Sequence, residues 1–147
     1  MSLSDINKGL SGTSAVTFNI SPATAKASGV TFSAVAGEGV IFGDIVYIKS
    51  DGKLWKADAN AAGLFPAQFM AIATIATDTT GLFLRDGFAT LSSWNWTAGL
   101  PLYLSTTAAG MTHTAPAATD DCIQVLGYAM SATTVSFRAS TDFLTRA

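Results

Sequence analysis

GDIVYIKSDGKLWK, residues 43–56, returns 56 positions later as GLPLYLSTTAAGMT, residues 99–112. Each stretch opens on glycine, passes through a strand-forming phrase with tyrosine at its third place, and then meets small turn-forming residues. In the first, Asp51-Gly52 separates two runs rich in β-branched and aromatic side chains. Asp-Gly suits a two-residue type I′ turn, whose central positions both need positive φ. The expected hairpin sets Ile48 opposite Trp55 and Val46 opposite Ala57 on one face, with Tyr47 beside Lys56 on the other.

At a constant shift of 56 the likeness extends beyond the hairpin. Gly43 aligns with Gly99, Val46 with Leu102, Tyr47 with Tyr103, Ile48 with Leu104, Ala71 with Gly127 and Ala73 with Ala129. LFLR at 82–85 then matches VSFR at 135–138 once three residues are deleted. Each unit reads strand, turn, strand, a loop with Pro66 or Pro116, an apolar strand, and a short strand ending at Arg85 or Arg138. A second hairpin is expected at 122–139, turning around Ser131 and Ala132. No long window has a helical apolar period, and SSWNWTAG at 92–99 has room for one turn at most. Short strands between Gly, Asp and Pro punctuation predict an all-β domain. The expectation is a small β-barrel or sandwich over 37–147, built from two similar strand-turn-strand halves at about 43–90 and 99–146. Pairing the halves edge to edge hides edges that would invite aggregation.

Residues 1–36 differ in composition, with little charge and much Ser, Thr, Ala and Gly. They contain two short alternations, AVTFNI and GVTFSAV, and too little apolar content to fold alone. Such a segment is either a disordered tail or an extended N-terminal arm ordering against a neighbouring subunit; the alternations favour the arm, with Val16, Phe18, Ile20, Val30 and Phe32 as its contact residues. Across the 147 residues, 12% are charged and 49% hydrophobic, against roughly 25% charged in an ordinary soluble domain. So few charges predict that apolar surface is covered by other copies of the chain or by a partner.

Function classes fall away in turn. The net charge is -2 and the lysines and arginines are dispersed, which removes the electrostatic footprint of a nucleic-acid binder. The longest apolar run, 61–76, is broken by Pro66 and Gln68 and is shorter than the roughly 20 residues a spanning helix needs, so no membrane partner is expected. His113 is the one histidine and Cys122 the one cysteine; a zinc site wants three or four such ligands. His113 lies in a polar loop-like stretch, and a lone loop histidine is a poor candidate for a general base. Cys122 sits in an apolar run and reads as a buried, inert thiol. No catalytic residue, metal or cofactor is expected. Trp94 and Trp96 flank Asn95 and in an extended segment project to one side. Three readings stand for them: a core plug, a subunit or partner contact, and a platform for stacking on sugar.

GDIVYIKSDGKLWKADA, WNWTAGLPLYLSTTAAGMTHTAPA and IQVLGYAMSATTVSFRAS together resemble the capsid decoration, or cement, proteins of tailed bacteriophages. Similar modules occur in phage fibres. The resemblance spans roughly residues 37–140 and rests on the Gly-Asp before the first strand, the Asp-Gly hairpin, the tryptophan before the Gly-x-Pro-Leu-Tyr strand, and Val125-Leu126-Gly127. It implies a non-enzymatic virion protein, made in the host bacterial cytoplasm, that sits on the capsid surface as a homotrimer and binds across neighbouring major capsid protein subunits. The alternative it leaves is a tail-fibre or receptor-binding module that recognises host surface glycan through Trp94 and Trp96.

Overall fold

A computed structural model describes residues 16–147, and eleven strands account for its regular structure. β1 (Lys26–Val35) is followed by β2 (Ile45–Ile48), β3 (Leu54–Lys56), β4 (Phe69–Ala71) and β5 (Thr80–Thr90). Then come β6 (Pro101–Leu104), β7 (Met111–Thr112), β8 (Cys122–Ile123), β9 (Val125–Ala129), β10 (Thr134–Arg138) and β11 (Leu144–Thr145). All named pairings are antiparallel. The main sheet runs β3-β2-β4-β5-β10-β9-β6-β7, β1 joins it through β5, and β8 pairs separately with β11. The protein is all-β: a strongly curled antiparallel sheet with the form of a half-barrel.

The order of the sheet gives the repeat a physical meaning. Hairpin β2-β3 lies beside β4 and β4 beside β5; hairpin β6-β7 lies beside β9 and β9 beside β10. The halves thus share one pairing scheme and meet where β10 pairs with β5, from Thr134↔Thr90 to Arg138↔Asp86. The hydroxyls of Thr90 and Thr134, both buried, hydrogen-bond each other there at 2.7 Å.

β5 is the spine. β1 pairs along its whole length, β4 pairs at Phe83 and Leu84, and β10 at Asp86–Thr90. A strand has two edges, so β1 occupies one while β4 and β10 share the other in succession. In the β1–β5 ribbon Gly29 faces Gly87. A Cβ on either glycine would run into the opposing main chain, Asp86 O or Ser28 O, so only glycine lets the two backbones approach this closely.

The two ends of the curled sheet are tied by backbone hydrogen bonds. Ala109 N donates to Ala57 O (2.7 Å), Ile45 N to Ala109 O (2.9 Å), Ala59 N to Ser105 O (3.0 Å) and Cys122 N to Ala59 O (2.7 Å). Inside, a large cluster holds Ile45, Tyr47, Met70, Leu84, Leu102, Leu104, Leu126 and Phe137. A smaller one, with Val46, Leu54, Ile75 and Phe83, lies by the first half, and Phe32 of β1 packs against it. Gln124, 1% exposed, links the halves across the interior. Its Oε1 accepts Ala67 N at 2.8 Å, and its Nε2 donates to Ala67 O and Ser140 O, each at 2.8 Å.

Three sequence expectations need correction. The first hairpin pairs Tyr47 with Trp55 and Ile48 with Leu54, one residue out of the expected register. Its loop is Ser50-Asp51-Gly52: Gly52 N donates to Lys49 O and Lys49 N to Lys53 O, and within this loop only Gly52 has positive φ, at 79°. This is a type I turn followed by a glycine bulge, the usual three-residue solution. Second, the shift of 56 is out of phase in the inner strands. Ile48 is 50% exposed whereas Leu104 is fully buried, so the residues facing the large cluster are Ile45 and Tyr47 in one half and Leu102 and Leu104 in the other. In the outer strands Phe83 lies opposite Ala71 and Phe137 opposite Gly127, which matches the two phenylalanines after a deletion of two residues, not three. Third, the arm does not wait for a neighbour over its whole length: GVTFSAV belongs to β1, and its edge is β5 of the same chain. The second hairpin turns at 130–133, as expected, between β9 and β10. Residues 1–15 of the arm lie outside the described residues.

Candidate interaction surfaces

One surface is the outer edge of β1. Among the named strands of the described residues it pairs with β5 alone; where it ends, its other side meets β3 through the parallel bridge Ala36↔Leu54, with Gly37 N donating to Leu54 O at 2.8 Å. Lys26 is its only charged residue. The chain leading into it is fastened at few points: Asn19 N donates to Ser28 Oγ (2.7 Å), Ser92 N to Thr24 Oγ1 (2.8 Å) and Ala25 N to Thr90 O (2.8 Å). Of the expected contact residues, Val16 (80%), Ile20 (56%) and Val30 (41%) are exposed. Phe18 is half-buried. Phe32 instead turns inward, its ring 4.6 Å from that of Phe69 and 6.0 Å from that of Phe83. Alternation alone marked all five; which side of β1 faced the core depended on its pairing with β5.

A second surface surrounds the tryptophans. Both are half-buried and pack against the large cluster. Their rings lie 6.2 Å apart at 50°, so they form no flat platform; Trp94 also neighbours Phe42. They line a cavity of about 290 Å³ together with Ile41, Asp44, Leu91 and Met111. The Trp96 indole N–H is buried and has no hydrogen-bond partner among the described residues. Asp44, whose Oδ2 accepts Ile41 N at 3.0 Å, has its carboxyl raised above the usual range, chiefly by burial.

His113 braces this loop. Its Nδ1 is 2.9 Å from Pro101 O, which can only accept, so Nδ1 carries the proton; Nε2 then accepts Thr97 N at 3.0 Å. Both ring nitrogens are engaged, and the ring packs edge-on against Trp96 at 5.1 Å. The sequence marked His113 as a loop residue and a poor candidate for a base, and carried no sign of this bracing role. Cys122 is fully buried, and burial pushes its thiol up to about 11, leaving it protonated at neutral pH.

The architecture defines a class, an all-β half-barrel in which β1 joins the sheet through β5. Compared with protein-family models, curated proteins and solved structures, the chain has no match.

Proposed function

We propose that this chain is a non-enzymatic virion structural protein that decorates a tailed-phage capsid as a homotrimer, binding across neighbouring subunits of the major capsid protein. The observation that carries the reading is the outer edge of β1, which pairs with no second named strand among the described residues and closes on β3 only at its end, with Val30 exposed on the strand and Val16 and Ile20 exposed before it. Such an edge accepts a strand from another chain through main-chain hydrogen bonds without needing a prebuilt pocket. A low charged fraction fits a surface that is covered in an assembly. The test is co-sedimentation of the purified protein with empty phage capsids, together with light scattering of the free protein. Binding is expected for the intact chain and is lost when residues 1–25 are deleted and Val30→Lys is added. Equal capsid binding by that variant, or a stable monomer at micromolar concentration, overturns the corresponding part of the reading.

The Trp94–Trp96 cavity favours a second reading, a fibre or receptor-binding module for host glycan. Its unpartnered indole N–H and aromatic walls are features that sugar sites use. Quenching or blue shift of tryptophan fluorescence by host surface glycan, abolished by Trp96→Phe, would put this reading ahead.

A further inference from the structure

The fork in the sheet, where β5 passes from β4 to β10, contains a bulge with an arginine on it. Register runs from Leu84↔Thr31 directly to Asp86↔Val30, so Arg85 has no partner on β1. It has none on the other side either, since β4 ends its pairing at Leu84 and β10 at Asp86. Bulges of this kind re-aim a side chain, and here the bulge opens onto a groove of about 400 Å³. The groove also holds Arg138, the last residue of β10. Two of the chain's three arginines therefore line one groove.

Both arginines are exposed, and among the described residues neither is in an ion pair. Asp86 is the cross-strand partner of Arg138, yet among the described residues the one ion pair within 4.0 Å is Lys53–Asp78. Among the described residues Asp86 is the only acid lining the groove, and it balances at most one of the two positive charges. Pro66 and Phe69 supply an apolar wall, and Thr141 adds a hydroxyl at the rim. Planar guanidiniums bind carboxylate in forked, charge-assisted hydrogen bonds, and an apolar wall suits the methylene stem that carries such a carboxylate. We infer that this groove is a docking site for an acidic peptide segment of a partner protein, read by Arg85 and Arg138. The inference does not rest on the capsid reading, because peptide binding can hold where capsid binding fails.

The test uses the full chain labelled with nitrogen-15 and three probes: acetylated, amidated tetraglutamate; tetraglutamine capped in the same way; and inorganic phosphate. Tetraglutamate is expected to shift the amides of residues 85–86 and 138–141, more weakly as salt is raised, while tetraglutamine leaves them in place. Arg85→Gln/Arg138→Gln should weaken tetraglutamate binding at least about tenfold, the loss of one charge-assisted hydrogen bond or more. Its melting temperature should not change, because both side chains are exposed. If that variant melts early, Arg85→Lys/Arg138→Lys keeps the charge without the fork and should bind more weakly than the natural chain but more tightly than the glutamine form. The proposal is overturned if tetraglutamate causes no shifts at these amides, if tetraglutamine binds equally, or if the arginine variants bind as the natural chain does. Saturation by phosphate with no response to tetraglutamate would likewise replace the peptide site by a small-anion site.

Discussion

The halves of the sheet follow the same pairing scheme but bury different surfaces. In the first, β2 is covered on both faces: Ile45 and Tyr47 point into the large cluster and Val46 into the small one beneath β1. In the second, β6 buries Leu102 and Leu104 on one face and leaves Pro101 and Tyr103 only half-covered on the other. The source of the difference is β1, whose Phe32 helps roof the small cluster by the first half. A pairing scheme can therefore recur while the packing does not.

The sharpest way to probe this difference is to hollow out each half in turn. Phe83 anchors the small cluster and Phe137 the large one, and both are essentially unexposed. Either Phe→Ala change should cost about 3–5 kcal/mol in urea unfolding followed by tryptophan fluorescence. Because β5 carries both halves, each variant should still unfold in one transition. Two separated transitions in Phe83→Ala would show the small cluster to be a unit of its own.

Next comes the link between the halves. Gln124→Leu removes an amide that satisfies Ala67 N, Ala67 O and Ser140 O, leaving buried polar groups without partners. The expected cost is about 1–3 kcal/mol for each group left unpaired. Faster hydrogen exchange at Ala67 and its neighbours would accompany it. A variant as stable as the natural chain would mean that water replaces the amide.

These two predictions also mark what the sequence shows plainly and what it conceals. Strand class, the hairpins and their order were legible, because β-branched runs between Asp-Gly and similar turns have few other ways to fold. The face of each strand was not. A shift of one residue exchanges the two faces of a strand, and the tyrosines that made 56 look right, Tyr47 and Tyr103, lie on opposite sides: the first is buried and the second half-covered. Gln124 reads in sequence as a polar interruption of an apolar run, since its partners lie 57 and 16 residues away. The same holds for Arg85 and Arg138, which a bulge and a fork bring to one groove. The tryptophans were visible as a pair, but their 50° tilt and the edge contact of Trp96 with His113 were not.

The hairpin turns offer a smaller, paired test. Gly52 has φ of 79° and nothing near a Cβ position, so Gly52→Val should cost only the conformational penalty, about 1–2 kcal/mol. The β6-β7 hairpin places Ala109 at φ of 63° while burying it almost completely. Ala109→Gly relieves a comparable strain and gives up about 0.8 kcal/mol of methyl burial, so the net change should lie within about 1 kcal/mol of zero. Thermal melts of the two variants side by side decide it: a large loss in Ala109→Gly would show the methyl group, not the turn, to be the anchor of this end of the sheet.

The smallest expected effect concerns a charge that one half has and the other lacks. Asp44 precedes β2, while the shift of 56 places Leu100 at the corresponding point before β6. Burial raises the Asp44 carboxyl; the hydrogen bond from Ile41 N and the charge of Lys56 oppose this, and Glu38 adds to it. A carboxyl raised in the folded state favours the fold when protonated. Its contribution is complete below the ordinary aspartate value, near pH 4, and is lost as pH rises through the higher folded value. Asp44→Asn keeps an oxygen to accept Ile41 N–H and removes the charge. It should therefore match the natural chain near pH 3 and melt slightly higher at pH 7, with the gap opening as Asp44 ionises. A gap of equal size at both pH values would trace the effect to packing around the tryptophan cavity. A lower melting temperature at pH 7 would mean that ionised Asp44 gains more from Lys56 and Ile41 than burial takes away.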